Sequence, residues 1–235
     1  MARSIVIGDV HGCAIELDGL LDKLALASDD RLYFVGDLVA KGPESRRVLT
    51  LARKLGAKVA LGNHEERMLE ARDARREDRT PPKLDKTHNA LLDELDDEDW
   101  AMLEALPLKL DLPEHEARIV HAGVVPGIPF EKQDPWLVTH IRSIAEDGTP
   151  SSKWGPLWGA RYTGPPHIVF GHNARKEPQF HPDATGLDTS CVYGGELTAL
   201  VLPAGANVPP VADRRDALVS VKAKRAYSDY GRPLS

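Results

Sequence analysis

Three short apolar runs near the start of the chain each end at a glycine that is followed by a carboxylate or amide side chain. The runs, each with the side chain that follows its glycine, are residues 5–7 with Asp9, residues 32–35 with Asp37 and residues 59–61 with Asn63. Runs of this length, each followed by a helical pattern, predict the alternating strands and helices of an α/β protein. Ligands of such sheets collect at the carboxyl ends of the strands. We therefore expect a polar site at one edge of a sheet.

The residue types at these strand ends favour a metal site. Asp9 and His11 are two positions apart, so in an extended segment their side chains point the same way and can grip one ion. Asp37 has two carboxylate oxygens and can bridge two ions, and Asn63 offers an amide oxygen. A lone Asp after a strand is more often a turn residue or a helix cap, but several such groups at strand ends favour a metal. Mixed oxygen and nitrogen donors suit Mn, Fe or Zn better than Ca or Mg.

The composition limits the classes of function. With 235 residues, 42% of them hydrophobic, the chain suits one soluble domain with a sizeable core. A net charge of -6 argues against stable nucleic-acid binding, and no apolar stretch approaches the roughly 20 residues of a membrane helix. The two cysteines, Cys13 and Cys191, form no disulfide framework, so the predicted compartment is the reducing cytoplasm.

The middle and the end of the sequence predict additions to a single domain that covers residues 1–235. A polar, mostly helical stretch at about 70–105 predicts an insertion over one rim of the sheet, in which Asp97 would cap a short helix. Residues 203–216 have the composition of a linker, and residues 222–235 have that of a flexible, frayed tail.

Later apolar runs predict further strands. They lie at residues 108–112, 117–120, 167–170, 189–192, 197–202 and 217–221. The first two flank a Pro-Glu-His-Glu segment and predict a hairpin. His121 and His172 follow two of these runs, as Asp9 and Asp37 follow the earlier ones.

Ordered motifs along residues 4–202 resemble those of the PPP-type metallophosphoesterases. The motifs are GDVHGC at 8–13, GDLVAKGPES at 36–45, GNHE at 62–65, HAGVVPG at 121–127, Gly171-His172 and GLDTSCVYGGELTAL at 186–200. The closer likeness is to the ApaH-like branch, which comprises the symmetrical diadenosine tetraphosphatases and their phosphatase relatives. The resemblance implies a calcineurin-like α/β fold, with a central two-sheet β-sandwich flanked by helices, and a two-metal hydrolase.

The same resemblance implies a ligand set. One ion would take Asp9, His11 and Asp37. The second ion would take Asp37, Asn63, His121 and His172. Two divalent transition-metal ions, with Mn preferred and Fe, Zn or Co as alternatives, would hold a bridging hydroxide that attacks the phosphoryl group. Asp37 and His64 would be the catalytic residues.

His64 is, by resemblance, the acid that protonates the leaving oxygen. In the protein phosphatases an Asp that orients this histidine occupies the position of Ala40, and an Arg occupies that of Lys41. Lys41 can bind phosphate only as a point charge. Arg142 and Arg161 are candidates for further phosphate contacts, with a plain surface salt bridge as the alternative for each.

The missing partner at Ala40 predicts a substrate preference. A phosphoserine ester expels an alkoxide whose conjugate acid is about as weak as water, with a pKa of roughly 15.7. A phosphoanhydride expels a phosphate with a second pKa of roughly 6, which departs with little protonation. The sequence therefore favours a nucleotide substrate, with diadenosine tetraphosphate cut symmetrically to two ADP. The alternatives are a Ser/Thr or broad-specificity phosphatase acting on phosphoproteins, and a polyphosphatase.

Residues outside the motifs have two interpretations. Trp154, Trp158 and Tyr193 could stack on a base, but core packing explains each of them equally well. The remaining histidines are interpreted as surface or core residues; they are His88, His115, His140, His167 and His181.

Overall fold

Two five-stranded sheets form the centre of the structure, a computed structural model that describes residues 2–231. The strands are β1 Ser4–Ile7, β2 Arg31–Phe34, β3 Lys58–Val59, β4 Lys109–Leu112, β5 Ala117–Val120, β6 Ser143–Ile144, β7 Pro150–Ser151, β8 His167–Phe170, β9 Gln179–His181, β10 Ala184–Gly186, β11 Glu196–Leu202 and β12 Leu218–Lys222. The first sheet has the order β12-β11-β1-β2-β3 and the second the order β4-β5-β8-β10-β9. The short strands β6 and β7 pair separately.

The helices pack around these sheets. They are α1 Ala14–Leu24, α2 Ser45–Lys54, α3 Asn63–Arg76, α4 Lys86–Glu94, α5 Asp97–Glu104 and α6 Pro135–His140. In α1 the buried Leu17, Leu20 and Leu24 form one face, as expected for an amphipathic helix on a sheet. No helix within residues 2–231 is both long and apolar enough to cross a membrane.

Strand β1 contributes to two apolar clusters, one on each of its faces. Ile5 and Ile7 pack with the cluster that includes the apolar side of α1, whereas Val6 packs in a separate cluster with Ile119 and Val169 of the second sheet. Successive side chains of a strand point to opposite faces, so one face of β1 meets helices and the other meets the facing sheet. The predicted α/β fold, a two-sheet sandwich flanked by helices, is confirmed.

The parallel pairing positions the strand ends. Strand β1 pairs in parallel with β2, which pairs in parallel with β3. In the second sheet β5 and β8 are parallel neighbours. The carboxyl ends of parallel strands lie at the same edge of a sheet, so the residues that follow these strands are brought together.

Several predicted elements differ in the structure. The predicted hairpin is confirmed as the antiparallel pair β4–β5. No strand forms at residues 189–192, because the backbone turns there, with φ of 66° at Ser190. The strands β9 and β10 were not predicted, since three-residue strands carry too little periodicity. The helix cap is Asp96, whose side chain accepts the Asp99 N–H, and not Asp97.

The end of the described chain is bound to the body of the protein, which corrects the prediction of a frayed tail over residues 222–235. The Lys224 N–H donates to Glu16 Oε1 at 3.0 Å, and the Tyr227 N–H donates to Val192 O at 2.8 Å. Residues 232–235 lie outside the described residues. In the predicted linker, the guanidinium of the buried Arg214 donates to backbone carbonyls, so this segment also packs. That residues 1–235 form a single domain stays a prediction.

Candidate metal centre and active site

The polar residues that follow the central strands meet in one buried site. Asp9 and His11 follow β1, and Asp37 follows β2. Across the sandwich, His121 follows β5 and His172 lies just beyond β8. All five side chains belong to residues that are less than one-tenth exposed.

Asp37 lies at the centre of the site. Its Oδ2 is 3.4 Å from His11 Nε2 and 3.4 Å from His121 Nε2. The Nε2 of His64 lies 4.0 Å from the same oxygen. One carboxylate therefore faces imidazole nitrogens on several sides, which is the arrangement expected of a bridging ligand.

Asn63, the first residue of α3, places its side-chain amide between His121 and His172. Its Oδ1 lies 3.0 Å from His121 Nε2 and 2.8 Å from His172 Nδ1. An amide oxygen placed between two imidazole nitrogens can donate its lone pairs to the same cation as they do.

Backbone carbonyls orient two of the imidazoles. His11 Nδ1 lies 3.1 Å from Val39 O, and His121 Nδ1 lies 3.0 Å from Val35 O. These contacts favour a proton on Nδ1, which leaves the Nε2 lone pair facing Asp37. Partners of this kind fix the tautomer of metal-binding histidines.

The backbone around the site is closely packed and strained. His172 N–H donates to Asp9 Oδ2 at 3.0 Å, and a Cβ at Gly171 would lie only 1.9 Å from Asp9 Oδ1. His11, Asp37 and His172 have φ values of 46°, 52° and 63°. Non-glycine residues rarely adopt such left-handed conformations, and they concentrate at functional sites.

Charge and burial set the protonation of the central groups. Burial alone would raise the pKa of Asp37, but the adjacent His121, His64 and His11 hold it well below its ordinary value. Burial would lower the pKa of His121, yet the Asp37 carboxylate raises it to about 9. Burial and the nearby Arg142 cation keep the pKa of His172 well below its ordinary value. Asp37 is therefore ionised and His172 neutral, as metal binding requires, whereas His121 would release a proton when a metal binds.

The donor set fits two ions that share a carboxylate. His11, Asp37 and His64 form one group of buried donor atoms within 4.8 Å of one another, and Asp37, His121 and His172 form another. Asp37 belongs to both groups. Carboxylate, amide and imidazole donors together match transition-metal preferences.

Glu65 supports this site although the sequence assigned it no role. Its carboxylate is fully buried and accepts the backbone N–H groups of Asp37, Leu38 and Val39 at 2.9, 2.7 and 3.1 Å. It thereby holds the turn after β2 against the first turn of α3. Burial and the Asp37 charge raise the pKa of Glu65 to about 7. Its place in the GNHE motif was the only signal that could have indicated it.

His64 has a side-chain partner, which the sequence did not predict. His64 Nδ1 lies 2.8 Å from Nε2 of His88, a residue in the first turn of α4, whose N-cap is Asp85. The expectation that His64 is unpartnered because residue 40 is Ala is therefore wrong. His88 was interpreted as an ordinary surface or core residue, since a lone His in a polar insertion carries no distinguishing pattern.

The three predicted phosphate contacts differ in their positions. Lys41 Nζ lies 3.0 Å from His11 Nε2 and reaches into the site. Arg142 lies close enough to His172 to lower its pKa, and its Nη1 donates to Ser152 O at 2.9 Å. Arg161 is exposed, and its Nη1 donates to Ala145 O at 2.6 Å.

The aromatic residues near the rim, for which stacking on a base and core packing were both open, differ in their exposure. Trp158 is fully buried and donates from Nε1 to Ala122 O at 3.0 Å, so it packs in the core. The exposed aromatic is Trp136 of α6, which is 48% exposed and stacks on His140 with ring centroids 4.5 Å apart. Both line a cavity of about 360 Å³ that reaches Asn63 and also contains Arg67 and Lys83.

The sequence matches the model of the calcineurin-like phosphoesterases over residues 2–201. The chain belongs to this family and is a metal-dependent phosphoesterase, that is, a hydrolase. Members of the family use divalent metal ions, which agrees with the donor groups around Asp37.

Two relatives are similar over most of their length. The asymmetrical bis(5'-nucleosyl)-tetraphosphatase PrpE of Halalkalibacterium halodurans is 34% identical over 84% of this chain and 89% of its own. The symmetrical bis(5'-nucleosyl)-tetraphosphatase of Chromohalobacter salexigens is 31% identical over 85% of this chain and 94% of its own.

Solved structures share the fold. One crystal structure, of a protein assigned provisionally as a diadenosine tetraphosphatase, has a TM-score of 0.80 at 33% identity and covers 94% of this chain and 93% of its own. A serine/threonine phosphatase from Saccharomyces cerevisiae has a TM-score of 0.61 at 16% identity and covers 99% of this chain and 81% of its own. At that identity the second likeness concerns the fold alone.

Proposed function

We propose that this protein hydrolyses dinucleoside polyphosphates and cuts diadenosine tetraphosphate symmetrically to two ADP. The observation that carries the proposal is the position of the cavity lined by Trp136, Arg67 and Lys83, which reaches Asn63 at the edge of the donor set. A base can stack on the exposed Trp136 while its phosphates extend towards Asp37. The relatives named as bis(5'-nucleosyl)-tetraphosphatases support the same substrate class.

The proposed ligand roles keep the second donor group and change the first, in which Asp9 replaces His64 as a ligand. Asp9, His11 and Asp37 would hold one ion. Asp37, Asn63, His121 and His172 would hold the second. Bound divalent ions, for which we propose Mn with Fe, Zn or Co as alternatives, activate a water nucleophile and neutralise charge on the phosphoryl oxygens.

The chain's own groups bind the substrate and deliver the proton. Lys41 contributes a cation beside His11, and Arg142 contributes one close enough to His172 to lower its pKa. Arg161, directed to the 145 loop, is the weaker of the two arginine candidates. His64 directs Nε2 towards the site, and the proton on this nitrogen is donated to the leaving oxygen.

An asymmetrical cut to ATP and AMP is the second candidate. It is favoured by the relative at 34% identity that is named as asymmetrical. The two modes differ in which phosphorus atom the water attacks, and therefore in how far the base lies from the donor set.

Product analysis tests the function and the position of the cut. The protein, loaded with Mn, is incubated with diadenosine tetraphosphate, a phosphoserine peptide and inorganic polyphosphate in parallel. We expect ADP as the sole nucleotide product and the highest kcat/KM for the dinucleotide. ATP with AMP would replace the symmetrical mode by the asymmetrical one. Faster turnover of the peptide or of polyphosphate would contradict the substrate class.

A further inference from the structure

A chain of three side chains leads away from the site behind His64. His64 Nδ1 lies 2.8 Å from His88 Nε2, and His88 Nδ1 lies 2.8 Å from Asp85 Oδ1. The planes of the two imidazoles differ by only 13°, with centroids 4.9 Å apart. The rings therefore meet edge to edge, which places the bridging hydrogen in the plane of both.

The second histidine is held rigidly. His88 is 1% exposed, and Asp85 caps α4 by accepting the Thr87 and His88 N–H groups at 2.9 and 3.0 Å. The Lys41 N–H donates to Thr87 Oγ1 at 2.9 Å, so the start of α4 is tied to the loop that carries Asp37. The insertion is thus fastened to the active site at the point where His88 enters it.

The order of these groups determines where the protons lie. Asp85 Oδ1 lies close to His88 Nδ1 without a well-directed hydrogen bond, and the negative charge of this ionised carboxylate favours a proton on Nδ1. The Nε2 of a neutral His88 is then an acceptor, so the hydrogen in the 2.8 Å contact belongs to His64 Nδ1. His64 Nε2 remains the nitrogen that faces Asp37 and the substrate.

We propose that His88, held by Asp85, is the positioning residue that accepts the His64 Nδ1–H and so keeps Nε2 of His64 in the orientation required of the acid. It takes the place of a side chain at position 40, where the fully buried Ala40 has no acceptor to offer. The inference rests on the proposed hydrolytic function. The acid form of His64 carries a proton on each ring nitrogen. As the bond from phosphorus to the leaving oxygen breaks, the Nε2 proton moves to that oxygen and leaves a neutral ring, and Nε2 then regains a proton from water. The Nδ1 proton stays on His64 throughout.

Leaving-group dependence separates this role from a merely structural one. Phenyl phosphate expels a phenolate, whose conjugate acid has a pKa of about 10. By contrast, 2,4-dinitrophenyl phosphate expels a much weaker base that needs little protonation. We expect His88→Ala to lower kcat for phenyl phosphate by about tenfold, part of the roughly 10²–10⁴-fold that a general acid contributes. For the dinitrophenyl ester kcat should change by less than about twofold.

A second variant and a control make the comparison specific. His88→Gln retains an acceptor oxygen and should recover part of the loss for phenyl phosphate. His115→Ala removes another histidine that is also 1% exposed and that contacts Ser4 Oγ at 2.8 Å. This residue precedes β5, at the opposite end of the strand from His121. It should lower stability without any dependence on the leaving group. Metal content, measured by elemental analysis, should equal that of the wild type in all three variants.

Imidazole ¹⁵N NMR of the metal-free protein tests the tautomer without any turnover. In the wild type, the neutral form of the His64 ring should carry its single proton on Nδ1, where it is donated to His88. In His88→Gln that proton should stay on Nδ1, and in His88→Ala it should move towards Nε2, the nitrogen that free histidine prefers to protonate.

Two results would overturn the proposal. One is an equal loss of kcat for both esters in His88→Ala, and the other is a His64 tautomer that the substitution does not change. If the wild-type protein hydrolyses neither esters nor dinucleotides, the proposed function fails, but the NMR result still decides whether His88 sets the His64 tautomer.

Discussion

Glu65 is completely buried, and its Oε2 accepts a hydrogen bond from the backbone N–H of Asp37 at 2.9 Å. The other carboxylate oxygen accepts the N–H groups of Leu38 and Val39. The helix that begins at Asn63 therefore sets the backbone conformation of the turn that presents the central carboxylate. A side chain that touches no substrate determines the position of the one that does.

Replacing Glu65 should weaken both the fold and the metal site. Glu65→Ala leaves three buried N–H groups without acceptors, and each such loss costs about 1–3 kcal/mol. We expect the free energy of unfolding to fall by about 3 kcal/mol or more, measured by urea denaturation. Metal affinity should fall with it. Glu16→Ala, a matched loss of a buried carboxylate that accepts the Lys224 N–H, should cost stability but leave metal affinity unchanged. Normal metal binding by Glu65→Ala would contradict the role given to Glu65.

Removing the shared charge should empty the metal site. Asp37→Asn keeps the shape of the side chain but removes the negative charge that faces His11 and His121. We expect metal content, by elemental analysis, to drop and activity to collapse. The control is Asp99→Asn, which changes a buried carboxylate that pairs with Arg53 instead. Near-normal turnover of Asp37→Asn with two ions bound would refute the bridging assignment.

Chelation should abolish activity without unfolding the protein. The side chains of Ile5, Ile7 and Phe34 are fully buried in an apolar cluster that does not depend on ions. Far-ultraviolet circular dichroism should therefore be unchanged after dialysis against EDTA, and added Mn should restore turnover. Global loss of the dichroism signal would instead show that the ions are structural.

Trp136 should matter only for substrates with a base. Stacking of a base on an aromatic side chain contributes about 1–3 kcal/mol, so Trp136→Ala should raise KM for diadenosine tetraphosphate about tenfold. Its KM for phenyl phosphate should not change. Trp154→Ala is the comparison variant, because Trp154 lies over the guanidinium of Arg175, at 4.5 Å. If only Trp154→Ala raised KM, the base would bind at Trp154 and not at Trp136.

His167 should give the fold a defined pH dependence. Burial, with help from the Arg214 cation, lowers the pKa of His167 from 6.5 to about 4. The unfolded chain then binds this proton more tightly than the folded protein does, so stability falls as the pH drops from 6.5 to about 4. His167→Gln should flatten the free energy of unfolding against pH in this window, measured by urea denaturation.

The control variant removes the hydrogen-bond partner of His167 but keeps the titrating imidazole. Thr185→Val removes the hydroxyl that lies 2.9 Å from His167 Nε2. It should lower the free energy of unfolding but keep the wild-type slope against pH. Identical slopes for the wild type and His167→Gln would show that His167 does not control this transition.

The sequence alone determined the strand ends and therefore most of the candidate metal centre. Asp9, Asp37 and His121 each follow an apolar run, and the position of a residue directly after a strand is set by local geometry. Once the strands are parallel neighbours, their carboxyl ends must meet. The α/β fold and the meeting of these side chains could be predicted for this reason, whereas their role as metal ligands stays a prediction. The absence of the strand predicted at 189–192 could not be foreseen, because residue types that favour strands do not reveal the turn at Ser190.

Only the tertiary structure decided which side chains support that centre. His88 and Trp136 belong to α4 and α6, and their distance from His64 and Asn63 depends on how separate helices pack on the sheets. Neither residue lies in a motif, and no periodicity in the sequence relates it to its partner in space. The packing of the insertion brings His88 against His64. The sequence had indicated only that the Asp partner of this histidine is missing, because residue 40 is Ala.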